Sequence, residues 1–272
     1  MLSRVIEVVK AVAREEVMPC YLQVAHDRKA DGSLFTKADL AAQDALKREL
    51  KKIAPFPMLG EEMTEAEQRD LWRGGQGGIW CVDPIDGTSN FVNGIPYFAV
   101  SVALMREGRP LLGVVYDPVA DEAFYAEKGK GASLDGVELP IKESMPAMYE
   151  AIAEVDFKRL PEDLAQALGR RPPFASQRNF GASTLEWCYV AAGRFDLYLH
   201  GGQKLWDYAA GSLILEEAGG CFSSLRSNDF WSDDLWRRSV IAALHPPLFE
   251  QWKAWIRGHL STPAEGETPQ PR

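Results

Sequence analysis

The sequence predicts a mixed α+β and α/β protein built from two halves, and three observations support this prediction. Strand-like runs at 98–105, 111–116 and 122–126 are joined by short turns, which predicts an antiparallel meander. After about residue 145, strand-like and helix-like segments alternate, as is typical of an α/β arrangement. Two amphipathic helices precede the first strand. We therefore expect an α+β half at 1–145, an α/β half at 146–260 and a disordered tail rich in Pro, Glu and Thr at 261–272.

The first two helices are predicted from the spacing of apolar residues. Valines at helical spacing indicate a helix from Ser3 to about Gln23, which Pro19 kinks or ends. A second helix opens at Thr36 and runs to about Ile53, because Thr36 and Asp39 fit a capping box. Capping alone would account for Asp39. The residues expected to face inward are Leu40, Leu46, Leu50 and Ile53.

Composition and charge narrow the class of protein. The chain has 272 residues, 46% of them hydrophobic and 25% charged, which is typical of a globular protein. No apolar run approaches the roughly 20 residues that a membrane span requires. Charged residues interrupt the N-terminal segment, so we predict no secretory signal and a cytoplasmic location. A net charge of −9 argues against a general nucleic-acid binder.

An acidic pair follows the first short strand. The apolar residues Met58 and Leu59 lead into Gly60-Glu61-Glu62. Taken alone, Glu61 and Glu62 are better explained as a solvated surface pair, because acids are usually exposed. The Gly-rich segment from Arg73 to Gly78 is predicted to be mobile and to form a flap.

The most informative stretch is Asp83-Pro84-Ile85-Asp86-Gly87-Thr88. Residues 79–82 predict a buried strand, and Pro84 is expected to stop it. Asp83 and Asp86 would repel each other if buried together, and no Lys or Arg lies between Ile79 and Phe91. A cation is therefore the natural partner of the two acids. Gly87 allows close approach of backbone to a ligand, and Thr88 offers a hydroxyl and an N–H for an anion, so the stretch indicates phosphate chemistry.

The C-terminal half is predicted to contain four strands and four helices. The strands are expected at 149–154, 174–178, 195–199 and 240–244, and the helices at 161–168, 181–192, 206–218 and 246–256. The segment from His200 to Lys204 is expected to be a Gly-rich loop. Asp207 follows it near the start of a helix, where Asp is most often a cap.

Three segments, taken together, resemble a known family. They are Gly60-Glu61-Glu62, WCVDPIDGTSNF from Trp80 to Phe91, and WDYAAG from Trp206 to Gly211. In this order they resemble the inositol monophosphatase family of Mg²⁺-dependent, lithium-sensitive phosphatases. The resemblance extends from the first helix to Leu244 and implies a layered αβαβα sandwich of the inositol monophosphatase and fructose-1,6-bisphosphatase type. It also implies an active site between the halves and a homodimer.

The resemblance assigns roles to particular residues. It places two or three Mg²⁺ ions on Glu61, Asp83, the carbonyl of Ile85, Asp86 and Asp207. It implies that Thr88, Asp39 and Glu61 are catalytic, with Thr88 and Asp39 orienting the attacking water. Phosphate and substrate would be bound by Asp86, Gly87, Thr88 and Asp207. For Glu61 and Asp207, these roles replace those of surface acid and helix cap.

Specificity residues follow from the same resemblance. Ala182, Ser183, His200 and Lys204 are the expected contacts of the leaving group. His200 aligns where inositol-specific members carry a Glu, and an imidazole cannot accept hydrogen bonds as a carboxylate does. This departure favours a substrate with a second anionic group, such as a sugar bisphosphate or a 3′-phosphoadenosine nucleotide. The alternative is that His200 and Lys204 are loop residues facing water.

The predicted function is hydrolysis of a small phosphate monoester by metal-activated water, without a covalent phosphoenzyme. The predicted partner is a small phosphorylated metabolite, and the main alternatives share the same chemistry. They are 3′(2′),5′-bisphosphate nucleotidase, fructose-1,6-bisphosphatase and histidinol-phosphatase activity. A rival of another class is a non-catalytic protein that binds the transcription or ribosome machinery.

Overall fold

The computed structural model describes residues 1–23, 26–28, 34–75, 77–232 and 234–261. Its first part contains the helix α1 (Leu2–Val12), which continues as a π-helical turn at Ala13–Val17 and a 3₁₀ turn at Met18–Cys20. Two short antiparallel strands follow, β1 (His26–Arg28) and β2 (Leu34–Thr36), and then the helix α2 (Lys37–Ile53). The predicted first helix is confirmed in position, and its regular α-helical part ends before Pro19.

The start of α2 confirms the predicted capping box. Thr36 Oγ1 accepts a hydrogen bond from the Ala38 N–H at 3.1 Å, and Asp39 Oδ2 accepts one from the Thr36 N–H at 2.6 Å. Leu46 and Leu50 are fully buried, as predicted. The prediction for Leu40 is wrong, because its side chain is 44% exposed. Leu40 lies six residues before Leu46, which places it about 120° away around the helix and off the buried face.

A seven-stranded sheet occupies the next part of the chain. Its elements in order are β3 (Met58–Gly60), the helix α3 (Glu65–Gly74), β4 (Ile79–Asp86), the helix α4 (Thr88–Asn93), β5 (Ala99–Arg106), β6 (Arg109–Asp117), β7 (Glu122–Glu127), β8 (Ala132–Leu134) and β9 (Val137–Glu138). The strands lie side by side in chain order. The pair β3 and β4 is parallel and every other pair is antiparallel, so the predicted meander is confirmed.

One local prediction in this sheet is wrong, and a second, the mobile segment, stays a prediction. Pro84 does not end the strand: β4 continues to Asp86, and its register with β5 shifts between Asp83 and Asp86. Because Pro84 has no N–H, it interrupts the hydrogen-bond ladder without ending the strand. The predicted mobile segment from Arg73 begins inside α3, which ends at Gly74, and Gln76 lies outside the described residues.

The second sheet has five strands. Its part of the chain contains β10 (Ile152–Asp156), the helix α5 (Glu162–Arg170), β11 (Ser176–Arg178), the helix α6 (Ser183–Ala191), β12 (Leu197–Gln203), the helix α7 (Leu205–Glu217), β13 (Cys221–Ser223), β14 (Arg238–Ala243) and the helix α8 (Pro246–Gly258). The strand order is β11-β10-β12-β14-β13. β10 is parallel to both of its neighbours, which confirms the predicted α/β alternation.

Two features of the second sheet differ from the prediction. Residues 200–203, expected in a loop, extend β12 and pair with β14 across a register shift between His200 and Gln203. The strand β13 was missed, because it is only three residues long. The first sheet lies within 58–138 and the second within 152–243, and the domain boundary at residue 145 stays a prediction.

Three hydrophobic clusters separate the layers. One contains residues of α1, α2 and one face of the first sheet, and a second contains residues of α6 and α7 together with residues of both sheets. The third contains residues of α5, α8 and the second sheet. The layers are therefore helix, sheet, helix, sheet, helix, which confirms the αβαβα sandwich.

Two further predictions concern the membrane and the tail. No helix in the described part of the chain is both long and apolar enough to cross a membrane. Of the predicted disordered tail, residues 262–272 lie outside the described residues.

Candidate active site

The end of β4 forms a closely tied corner with the start of α4. Asp83 is 1% exposed, and its Oδ1 accepts a hydrogen bond from the Ile85 N–H at 3.1 Å. Thr88 Oγ1 donates to the Ile85 carbonyl oxygen at 3.0 Å. These bonds fix the backbone between the two acids, because each uses a group of Ile85 that the interrupted ladder leaves without a strand partner.

Gly87 is required at this corner for two reasons. It has a φ of +86°, which side chains disfavour. A Cβ at this position would also lie 3.1 Å from Ala182 Cβ and 3.1 Å from the Tyr97 carbonyl oxygen. α4 begins directly after it at Thr88, as expected for the predicted anion-binding backbone.

Asp86 joins the two halves of the molecule. Its Oδ2 accepts hydrogen bonds from both the N–H and the Oγ1 of Thr184, each at 2.6 Å, and Thr184 lies 98 residues further along the chain. Asn90 makes a second connection, since its Nδ2 donates to the carbonyl oxygens of Tyr97 and Phe180, each at 2.7 Å. Neither contact was predicted from the sequence, where Asn90 appeared only within the segment from Trp80 to Phe91.

Glu61 and Asp207 lie in turns on either side of this corner. Glu61 is half-buried in the turn after β3. Asp207 lies in the first turn of α7, where its Oδ2 accepts a hydrogen bond from the Lys204 N–H at 2.8 Å. The N-cap residue is Lys204, so Asp207 caps the helix from its third position and is not the N-cap itself. We call Glu61, Asp83, Asp86 and Asp207 the acidic corner.

The four acids share one electrostatic environment. Burial raises the pKa of Asp83 well above its usual value, and the charges of Glu61, Asp86 and Asp207 raise it further. Burial raises the pKa of Asp86 to about 6, although the hydrogen bonds from Thr184 act in the opposite direction. Burial also raises the pKa of Asp207 well above its usual value, with added effects of Asp86 and Glu61. In such surroundings, a nearby cation would favour the ionised form of these carboxylates.

The donor set fits a hard divalent cation, although the side chains are not closed around one. Carboxylate and carbonyl oxygens are the ligands that Mg²⁺ prefers. Among the described residues, no three His, Cys, Asp or Glu side chains are grouped closely enough to hold a metal ion. The acids affect one another's pKa without being grouped this closely. Charges interact over distances longer than a metal–ligand bond, and like charges repel.

Asp39 lies near the acidic corner. It is fully buried at the start of α2, and its Oδ2 accepts hydrogen bonds from both the N–H and the Oγ1 of Thr36. Its charge contributes to the raised pKa of Asp83, after burial and the other acids. Asp39 is therefore a helix cap within electrostatic range of the predicted ligands.

The expected specificity residues occupy different environments. Ala182 is buried directly before α6, and Ser183 is the half-buried first residue of that helix. Lys204 is exposed, and its ammonium group makes no hydrogen bond or ion pair within the part of the chain that the structure describes. The alternative that His200 faces water is wrong, because its side chain is 3% exposed.

His200 belongs to a charged cluster at the carboxyl end of β10, an inner strand of the second sheet. β10 and β12 are parallel, and their register places Asp156 opposite His200. His200 Nε2 lies 2.9 Å from Asp156 Oδ2, and Arg159 Nη1 lies 3.1 Å from the same oxygen. We call Asp156, Arg159 and His200 the His200 edge. The sequence analysis did not select Asp156 or Arg159, and only their position just after a predicted strand could have indicated them.

The hydrogen bonds assign one tautomer to His200. Nδ1 accepts from the Gly202 N–H at 3.1 Å, so the proton is on Nε2 and is donated to Asp156. Burial lowers the pKa of His200, although Asp156 acts in the opposite direction. The imidazole is therefore neutral near pH 7, and both of its nitrogens are engaged inside the protein.

The pKa of Asp156 is also lowered, but by its partners rather than by burial. Burial opposes its ionisation, but the hydrogen bond and charge of His200, the Lys158 N–H and the Arg159 charge together lower its pKa to about 2. Part of this lowering comes from the positive charge of His200. Because His200 is neutral near pH 7 and becomes charged only in acid, that part of the shift does not apply at pH 7. The lowered direction stands, because the hydrogen bonds from His200 and Lys158 and the nearby guanidinium of Arg159 are present at any pH.

Comparison with known proteins gives the same family. The sequence profile of the inositol monophosphatase family matches residues 2–260. An inositol-1-monophosphatase of Caulobacter vibrioides is 35% identical over 255 residues, covering 90% of this chain and 96% of that protein. A Nus factor SuhB of Pasteurella multocida is 36% identical over 197 residues, covering 71% and 72%. The crystal structure of extragenic suppressor protein suhB from Bartonella henselae matches with a TM-score of 0.81 at 27% identity, covering 95% and 98%.

The layered fold, the acidic corner and these relatives together define a phosphoric monoester hydrolase of a metal-dependent class. The chain belongs to the inositol monophosphatase family.

Proposed function

We propose that this protein hydrolyses phosphate monoesters of small polyols, sugars or nucleotides, with water as the acceptor and Mg²⁺ as the cofactor. The observation that carries the proposal is the acidic corner. Burial and the neighbouring acids raise the pKa of Asp83, which lies close in sequence to Gly87 and Thr88. No cationic side chain lies between Ile79 and Phe91 in the sequence. The similarity to an inositol-1-monophosphatase over nearly its full length supports the same chemistry.

Metal binding is assigned to five residues. Glu61, Asp83, Asp86 and Asp207 would hold two or three Mg²⁺ ions with their carboxylates, and Ile85 with its carbonyl oxygen. When bound, such ions lower the pKa of a water molecule and neutralise charge on the leaving oxygen. The same ions would remove the repulsion that raises the pKa of the acids.

The chain's own groups would orient the reactants. Thr88 Oγ1 donates to the Ile85 carbonyl, so its lone pairs are available to accept a hydrogen bond from the attacking water. Asp39 and Glu61 are the carboxylates proposed to take up the proton that this water loses. The N–H groups of Gly87 and Thr88, at the start of α4, would bind the phosphate oxygens.

The leaving group would lie against Ala182, Ser183 and Lys204. Ala182 already contacts the corner, since it lies where a Cβ on Gly87 would clash. Substitution of a larger residue at Ala182 would therefore displace Gly87. A homodimer and a cytoplasmic location stay predictions of the sequence analysis.

The proposal is tested by measuring phosphate release after removal of bound metal with EDTA, with and without added Mg²⁺. The substrates are inositol 1-phosphate, fructose 1,6-bisphosphate, histidinol phosphate and 3′-phosphoadenosine 5′-phosphate. We expect release from at least one of them that requires Mg²⁺ and is inhibited by Li⁺. Release that is absent with every substrate, or that does not depend on the metal, would overturn the proposal.

The second candidate function is suggested by the relative named Nus factor SuhB. A chain that only binds the transcription or ribosome machinery would give no metal-dependent release in the same assay. The net charge of −9 makes direct binding to nucleic acid the less favourable form of this role.

A further inference from the structure

The His200 edge lies close to the acidic corner. β12 contains His200 and leads directly into α7, whose first turn holds Asp207. Arg159 lies in the 3₁₀ turn at Phe157–Arg159 directly after β10, and this turn packs against β12 at Gly201. In sheets with parallel strands, ligands bind beyond the carboxyl ends of the strands, and Asp156 is the last residue of β10, opposite His200 of β12.

Arg159 is held in place by its neighbours. Asp156 Oδ2 lies 3.1 Å from Arg159 Nη1 and 2.9 Å from His200 Nε2. Asp156 Oδ1 accepts a hydrogen bond from the Lys158 N–H at 2.8 Å. The backbone of Arg159 packs closely against β12. A Cβ on Gly201 would overlap the Arg159 carbonyl oxygen. Only glycine allows β12 to pass so close to this turn.

Arg159 has hydrogen-bonding capacity left for a ligand. Its side chain is 47% exposed, and of its N–H groups only those of Nη1 contact described residues. His200, in contrast, is neutral and uses both ring nitrogens internally. The cation at this edge is therefore Arg159, with the exposed Lys204 on the segment between β12 and α7.

We propose that Arg159 is a specificity-determining residue that binds a second anionic group on the leaving group of the substrate, with His200 and Asp156 as its positioning residues. This proposal rests on the proposed phosphatase function and narrows its substrate class to phosphate monoesters that carry another phosphate or a carboxylate. A guanidinium is suited to both groups, because it donates two parallel N–H bonds to paired oxygens.

The experiment compares matched pairs of substrates with Mg²⁺ present. Fructose 1-phosphate and fructose 1,6-bisphosphate test a second phosphate, and glycerol 1-phosphate and 3-phosphoglycerate test a carboxylate. For the preferred pair, we expect kcat/KM of the doubly anionic member to be higher by about tenfold or more, because hydrogen bonds to charged groups are strong. The pair that shows the larger ratio identifies the anion.

Variants connect this ratio to Arg159. Arg159→Gln should bring the ratio down to about one, because only the doubly anionic member loses its contact with the guanidinium. Arg159→Lys should keep part of the ratio, since it retains the charge but not the paired donors. Lys158→Gln is the matched control, because it removes a neighbouring exposed charge and should leave the ratio unchanged. Equal losses for both members, or an unchanged ratio in Arg159→Gln, would overturn the proposal.

A binding measurement separates this proposal from the phosphatase function itself. If the wild-type protein released no phosphate from either member of a pair, the proposed function would fail, and calorimetric titration with fructose 1,6-bisphosphate and fructose 1-phosphate would still decide the role of Arg159. Tighter binding of the bisphosphate that is lost in Arg159→Gln supports the proposal. Equal binding of the two sugars by the wild-type protein overturns it.

Discussion

The acidic corner and the His200 edge both bury carboxylates, yet the carboxyl pKa shifts in opposite directions. At the acidic corner, burial and neighbouring acids raise the pKa of Asp86 to about 6, against the hydrogen bonds from Thr184. At the His200 edge, burial also opposes ionisation, but the hydrogen bonds and charges around Asp156 lower its pKa to about 2. The two regions differ in their surroundings, because Arg159 supplies a cation at the edge, whereas burial and neighbouring acids raise the pKa of Asp83, Asp86 and Asp207 at the corner.

This difference separates two kinds of site. The edge has its cation in the chain, so its geometry is complete and can present Arg159 to a ligand. The corner gathers acids, and a bound cation would stabilise them in their ionised form. Substitutions that change the partners of each carboxylate test the comparison directly.

The largest effect is expected from Asp86→Asn. Asn keeps an acceptor for Thr184 but removes a charge that would bind metal, so we expect kcat for phosphate release to fall by about a hundredfold or more. The circular dichroism spectrum and the thermal unfolding midpoint should show that the fold is intact. Asp70→Asn is the matched control, since Asp70 is 75% exposed and pairs only with Arg73 at the surface. Unchanged activity of Asp86→Asn would remove Asp86 from the mechanism.

A smaller effect is expected from Thr184→Val. Valine has nearly the same shape but lacks the hydroxyl that donates to Asp86, so the free energy of unfolding should fall by about 1–3 kcal/mol. Because this hydrogen bond favours the ionised Asp86, kcat/KM should also fall, by roughly tenfold. Urea unfolding and steady-state kinetics give the two values.

Thr184→Ser provides the control for this prediction. Serine restores the hydroxyl without the methyl group and should recover most of the activity. If Ser and Val variants lost activity equally, the methyl packing rather than the hydrogen bond to Asp86 would be the important contact.

The smallest effect is expected from Asp156→Asn, at the His200 edge. The pKa of Asp156 is lower in the folded protein than in the unfolded chain, so its ionised form stabilises the fold above about pH 4. This stabilisation is lost as the pH falls from about 4 to about 2. At pH 7, Asp156→Asn should lower the free energy of unfolding by about 1–2 kcal/mol, and at pH 2.5 by much less.

Denaturant unfolding at pH 7, 4 and 2.5 measures this pH dependence. Asp70→Asn again serves as the control, and its effect should be small at every pH because the group is exposed. A cost of Asp156→Asn that stays the same from pH 7 to pH 2.5 would show that Asp156 acts through neutral hydrogen bonds rather than through its charge.

Much of the fold was predicted because its signals are local. The capping box of Thr36 and Asp39, the meander from β5 to β7 and the alternation after residue 145 all depend on residues near one another in sequence. The errors have local causes as well. Leu40 is apolar but lies off the buried face, and Pro84 interrupts a ladder that resumes at Asp86.

The sequence by itself determined the acidic corner's motif and the family, because Asp83, Asp86, Gly87 and Thr88 are nearly contiguous and their chemistry can be recognised without a structure. The tertiary structure alone decided which distant groups meet them. It placed Thr184 on Asp86 and brought Asp156 and Arg159 beside His200. Such contacts depend on which strands become neighbours and in what register, and the packing of whole layers fixes both.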